Sequence, residues 1–337
     1  MDTPVTTIPP GLDRFLGNAR VVEILRRAVE LDRLPHALIF AGPSGVGKRT
    51  LALLLAQLLN CESPSGKLAC GRCAGCRKIA QGSHPDVRLI EPDGAFIRIE
   101  QIRNIIGEIA YQPFEAKYRV VILDPADQLK IEAANCVLKT LEEPPSRTII
   151  ILVTSNPYML LTTIQSRSRL LQFTGISQDG IESYLIRQAG WDPGDAHLAA
   201  ALSRGSLGNA LAFESGRYLP VRAQALGFVS LLLSRGSFSD ASRLAAGAVK
   251  DKEAFPVWVE AALTILQDLF YARTAPGRVG QQDILGDLMT LAGHTPAGAV
   301  TSAVRAFDRL RRGLRQNLNR QIALEALFLS ETAKPVQ

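Results

Sequence analysis

Three groups of residues in this chain have the types and spacing to do chemistry. The first is Gly42-Pro43-Ser44-Gly45-Val46-Gly47-Lys48, a G-x-x-x-x-G-K run. Between an apolar strand and an apolar helix, such a run curls its backbone N–H groups around phosphate oxygens. The helix N-terminus adds positive potential, and the lysine reaches the outer phosphates. Gly42, Gly45, Gly47 and Lys48 are therefore candidate nucleotide-binding residues. The second group is Val120-Val121-Ile122-Leu123-Asp124, an apolar run ending in the kind of carboxylate that helps hold Mg²⁺ in a Walker B arrangement. The third is Cys61, Cys70, Cys73 and Cys76, spaced C-x8-C-x2-C-x2-C. Two-residue spacers let neighbouring thiolates turn back on one ion, and Gly66, Gly71 and Gly75 permit the tight turns this needs. Four thiolates leave no open coordination position, so the expected ion is a structural zinc. Cys136 stands alone in an apolar helical pattern and reads as a core residue.

The nucleotide residues depart from a hydrolase where chemistry begins. After the lysine a Ser or Thr hydroxyl should ligate magnesium. Arg49 stands there instead, and Thr50 follows one residue late, about 100° further round the helix. A guanidinium at that place repels the ion or partly replaces its charge. After Asp124, where hydrolysing proteins of this layout carry a Glu that orients water, the chain has Pro125. Asp127 reads as a helix cap ahead of Gln128-Leu129. Glu142-Glu143, just before Pro144-Pro145, read as surface residues at a helix end. Lys48 and Asp124 survive, which is compatible with ATP or ADP binding at a degenerate site without hydrolysis.

The elements that must position these residues alternate. Helical spacing over 18–31 is followed by a buried strand at 37–41 and a helix at 49–59. Strands at 87–90, 119–123, 148–154 and 170–173 alternate with helices at 99–111 and 131–141. That order implies an α/β fold with a parallel sheet. Beyond about residue 174 the signals are helical only, near 178–188, 196–202 and 207–214, with a break expected at Gly216-Arg217-Tyr218-Leu219-Pro220. The 337 residues, 47% hydrophobic and 21% charged, suit two or three globular domains rather than a disordered chain. No apolar run reaches the ~18 residues of a membrane span. Met1-Asp2-Thr3-Pro4 opens no signal peptide, so a cytoplasmic protein is expected. The net charge, 38 − 32 = +6, is compatible with nucleic acid but does not require it. Much of it lies in Arg305, Arg309, Arg311, Arg312, Arg315 and Arg320, a stretch equally readable as a solvated helix face.

Several stretches together make the chain resemble a clamp-loader subunit of the AAA+ class. They are Leu34-Pro35-His36-Ala37-Leu38-Ile39-Phe40, the four-cysteine insertion, Ser83-His84-Pro85-Asp86-Val87-Arg88 with Pro92-Asp93-Gly94, and Ile99-Glu100-Gln101-Ile102-Arg103. Asn135-Cys136-Val137-Leu138-Lys139-Thr140-Leu141-Glu142-Glu143-Pro144-Pro145 is close to a hallmark of that class. Thr163-Ile164-Gln165-Ser166-Arg167-Ser168 resembles its Ser-Arg-Cys motif, with Ser168 in place of Cys. Leu314-Arg315-Gln316-Asn317-Leu318-Asn319-Arg320 with Leu324-Glu325-Ala326-Leu327 resembles the last helix of its collar.

The resemblance implies an AAA+ P-loop domain over 1–174 carrying the zinc module at 61–76, a small helical lid domain over 175–217 and an all-helical collar domain over 218–337. It implies a stator without independent activity in the DNA polymerase III holoenzyme. The partners would be gamma or tau motor subunits and a delta subunit in a hetero-pentamer, with the sliding clamp and primed DNA engaged through the complex and no membrane involved. Arg167 would act catalytically in trans, on ATP bound by a neighbour. Gly208, within Gly205-Ser206-Leu207-Gly208-Asn209-Ala210, stands where motors carry a sensor arginine. Two alternatives are an active gamma- or tau-like ATPase, and a zinc-bearing primer–template binder using Arg305–Arg320 and the cysteine loop. The cysteine loop holds only Lys67 and Arg72 as bases and no aromatic, which disfavours the second.

Overall fold

The computed structural model describes residues 12, 15–64, 68–109, 111–314 and 319–333. Gly66 and Lys67 of the cysteine loop, and Arg315, Gln316, Asn317 and Leu318 of the C-terminal motif, lie outside them. The chain divides into two compact units: Met1–Tyr184 with Ser203–Asn209, and Leu185–Leu202 with Ala210–Gln337.

In the first unit, strands and helices alternate as α1 (Ala19–Glu30), β1 (Ala37–Ala41), α2 (Lys48–Asn60), α3 (Ala74–Ala80), β2 (Val87–Ile90) and α4 (Ile99–Ile109). They continue as β3 (Arg119–Leu123), α5 (Ile131–Glu142), β4 (Thr148–Thr154), α6 (Thr162–Arg167) and β5 (Arg169–Gln172). The five strands form one parallel sheet in the order β2-β3-β4-β1-β5. The inner three strands are buried along their whole length, as a sheet covered on both faces requires. Alternate residues of each strand feed opposite cores. Leu38, Phe40, Val120, Ile122, Ile149 and Ile151 pack with Leu51 and Leu55 of α2. Ile39, Val121, Leu123, Ile150 and Leu152 pack with Ile102 of α4 and Val137 of α5. The phosphate loop leaves β1 and Asp124 leaves β3, with β4 between them.

A buried polar knot fixes the connection from α4 to β3. The Asp86 carboxylate accepts from the backbone N–H of Phe114 (2.8 Å), Glu115 (2.9 Å) and Ala116 (3.0 Å), and from Arg119 Nη2 (2.9 Å). Arg119 also donates to the carbonyls of Glu108, Tyr111 and Gln112. Burial pushes the Asp86 carboxyl up, but the three N–H groups and Arg119 pull it down further, to about 2.

The remaining helices are α7 (Gln178–Arg187), α8 (Pro193–Leu202), α9 (Leu207–Leu211), α10 (Ser215–Leu233), α11 (Phe238–Ala248), α12 (Ala254–Thr274), α13 (Leu285–His294), α14 (Ala297–Gly313) and α15 (Arg320–Thr332). The second unit is built around α12, with Trp258 meeting Phe228 of α10, Phe307 of α14 and Phe255. The expected break at Gly216–Pro220 does not occur: α10 runs through it with Pro220 inside. The missing N–H frees only the Gly216 carbonyl, and both residues are exposed, so water can take it. The fold class is the expected one, a parallel α/β sheet followed by helices.

Asp86→Ala would leave Arg119 buried without its charge partner, so stability is expected to fall by about 3–5 kcal/mol in chemical denaturation. Because the folded Asp86 carboxyl sits below its ordinary value, its contribution is present above that ordinary value and is lost as pH falls toward about 2. A variant with an unchanged denaturation midpoint would contradict this.

Candidate functional site: a phosphate loop, an exposed arginine and a four-cysteine cluster

Gly42, Gly45 and Gly47 all have positive φ, which gives the loop its curl. The loop is also covered. A Cβ at Gly45 would come within 2.0 Å of Ser206 Oγ, and one at Gly47 within 2.8 Å of the Phe15 ring. The Gly208 N–H donates to Gly45 O at 3.1 Å, so the segment bearing Gly208 lies directly on the loop. Lys48 turns back on its own loop, donating to Gly42 O (2.7 Å) and Pro43 O (2.6 Å). Burial draws its ammonium below the ordinary value, against the pull of Asp124 and Asp127.

Arg49 replaces the metal-ligating hydroxyl with a cation, and the structure shows where that cation goes. Its Nε donates to Asp124 Oδ2 at 2.5 Å and its Nη2 to Glu91 Oε1 at 2.6 Å. Burial lowers the guanidinium's affinity for its proton, but the two carboxylates outweigh that and hold it above the ordinary value. A divalent cation coming to Asp124 would have to displace a guanidinium that already neutralises it. Asp127 differs from the expectation. It lies within a short 3₁₀ helix, Ala126–Gln128, and caps nothing there. Its Oδ1 accepts instead from Thr154 Oγ1 at 2.6 Å, tying the turn after β3 to the end of β4.

Arg167 is the last residue of α6, and its contacts lie apart from the loop. Its Nη2 meets Glu142 Oε1 at 2.8 Å, and its Nη1 donates to Thr163 O at 3.1 Å. Glu142 is thus engaged at the end of α5 rather than merely solvated. The same helix end is capped by His36, whose Nε2–H donates to Leu141 O at 3.1 Å. In the sequence His36 stands within the stretch Leu34-Pro35-His36-Ala37. Its signal is a polar residue directly ahead of an apolar strand. Ser168 Oγ, where the resembling motif has a thiol, is buried without a hydrogen-bond partner.

The four cysteines converge as their spacing predicts. Their sulfurs lie within 4.8 Å of one another, close enough to share one metal ion. Zn–S bonds of about 2.3 Å in a tetrahedron put sulfurs about 3.8 Å apart, so small inward shifts complete the shell. Backbone N–H groups of Cys70, Cys73 and Cys76 donate to the sulfurs of Cys61, Cys70 and Cys73 respectively. N–H groups of Arg72 and Cys73 bring the Cys70 thiol down to about 6, while burial pushes Cys61 and Cys76 up. Gln57 Nε2 holds Cys76 O at 2.9 Å. Cys136 is half-buried against the core of the sheet.

The basic stretch is partly spent within the fold. Arg311 and Arg312 both pair with Asp308, Arg311 also approaches Glu260, and Arg320 donates to Lys252 O while lying over the Phe255 ring. No helix among the described residues is long and apolar enough to cross a membrane.

Residues 17–177 match the family described as DNA polymerase III, delta subunit. The DNA polymerase III subunit delta' of Bacillus subtilis is 31% identical over 316 residues, covering 92% of this chain and 94% of that protein. The Pseudomonas aeruginosa subunit delta' is 41% identical over 134 residues, 39% of this chain and 41% of that protein. The Bacillus subtilis subunit tau is 32% identical over 209 residues, 60% of this chain and 37% of that protein. Sheet, phosphate loop and carboxylate strand define a P-loop α/β protein. Within that class, the chain belongs to the DNA polymerase III subunit delta' family.

The sulfur geometry leads to a metal test. Purified chain is expected to carry about one zinc per molecule by elemental analysis, and Cys70→Ser to lose it. Zinc uptake should release protons and weaken as pH falls, because the ligands bind as thiolates. A stoichiometry near zero in protein purified without chelator, with no uptake on adding zinc, would contradict a metal site.

Proposed function

We propose that this chain is the non-hydrolysing stator of a bacterial replicative clamp loader. The observation that carries the reading is Arg49 on Asp124, a protein cation where a hydrolase needs its metal. Pro125 and Gly208 remove two further features of a motor. The Bacillus subtilis relative named subunit tau supports gamma or tau motors as partners, with a delta subunit completing a hetero-pentamer. In that assembly the sliding clamp and primed DNA are engaged by the complex, in the cytoplasm. The helices beyond residue 175 serve as lid and collar, and the cysteine cluster holds a structural zinc that anchors the loop after α2. Any ATP or ADP held at Gly42, Gly45, Gly47 and Lys48 is bound without turnover.

Arg167 acts on the neighbour's ATP. Its guanidinium is exposed at a helix end and anchored by its own helix, which suits a group offered outward to a charged oxygen. A guanidinium meeting the transferring phosphoryl group stabilises the charge that spreads over its oxygens in the transition state.

The test is DNA- and clamp-stimulated ATP hydrolysis by the reconstituted five-subunit complex with Arg167→Ala. Turnover at the adjoining site is expected to fall by about 10²-fold or more, with assembly intact by size-exclusion chromatography. An unchanged rate would remove the trans-acting role.

A further inference from the structure

Arg167 already has a partner. Glu142 is the last residue of α5, where helix carbonyls concentrate partial negative charge and a carboxylate is disfavoured unless a cation lies near. Lys139 sits one turn back, but the contact is made by Arg167, at 2.8 Å. His36 holds the carbonyl of Leu141, the residue before Glu142, and so fixes the backbone that carries the carboxylate. Three stretches far apart in sequence thus form one chain of contacts: His36, Leu141-Glu142 and Arg167.

The side chains are 38% and 50% exposed, so the pair is a weak one in water. A triphosphate presents more charge than one carboxylate and can take two parallel N–H bonds from a guanidinium, so it competes well for the arginine. Glu142 cannot follow Arg167 to that anion, because carboxylate and phosphate repel.

We propose that Glu142 is a positioning residue for Arg167: its carboxylate parks the guanidinium at the end of α5 and sets how readily it is handed to a nucleoside triphosphate on the adjoining subunit. This rests on the reading that Arg167 acts in trans.

The experiment compares Glu142→Gln, Arg167→Ala and the double variant in the reconstituted complex, measuring kcat and KM for ATP with DNA and clamp present. Glutamine keeps the shape and removes the charge at an exposed position. Glu142→Gln is expected to raise kcat about two- to fivefold with little change in KM, the range an exposed ion pair supports. The gain should shrink as salt screens the parked pair in the parent complex. It should vanish when Arg167 is alanine. A kcat unchanged or lowered by Glu142→Gln, in a complex that still needs Arg167, overturns the positioning role alone. A gain that persists without Arg167 overturns it as well. A complex indifferent to Arg167→Ala overturns the trans-acting reading beneath it.

Discussion

A guanidinium bound to the Asp124 carboxylate sets the character of the phosphate-loop end of this sheet. Asp124 is buried at the end of an inner strand, where an uncompensated charge would be strongly disfavoured. In a hydrolase, the magnesium ion supplies the compensation. Here Arg49 supplies it from the first turn of α2, with Glu91 as the second carboxylate. With that charge settled internally, the other departures become tolerable. Pro125 follows Asp124 directly, Gly208 lies on the loop, and Lys48 satisfies itself on the carbonyls of Gly42 and Pro43.

The opposite tendency governs Arg167. There the partner carboxylate is exposed at a helix terminus, and the contact lies in water. The same residue type thus plays two parts within one unit. Arg49 is held by two carboxylates, one of them buried, whereas Arg167 is held by one exposed carboxylate that can be exchanged. The two arginines are about equally exposed, so the difference is one of the partners' burial and number.

Much of this was legible in the sequence. Strand positions followed from short apolar runs between turn signals, and the cysteine cluster followed from spacing alone. The residue types at 49, 125 and 208 already marked the departures. Less legible were contacts closed by the fold. Glu91 lies 42 residues from Arg49, and nothing local in the sequence joins them. The His36 cap depends on β1 running beside the C-terminal end of α5, and the Asp127–Thr154 bond depends on β4 lying next to β3. Pro220 stands inside α10, where proline removes one hydrogen bond and crowds the carbonyl four residues back, yet the helix continues. The Gly216 carbonyl it frees lies on the exposed side of the helix, where water can take it.

The most direct measurement is steady-state ATP hydrolysis by the purified chain alone at saturating magnesium and nucleotide. With Arg49 seated on Asp124, turnover should be indistinguishable from that of a Lys48→Ala control, with or without DNA. Magnesium-dependent turnover that Lys48→Ala abolishes would contradict the account, because it would mean that the ion displaces Arg49 and the site is a working hydrolase.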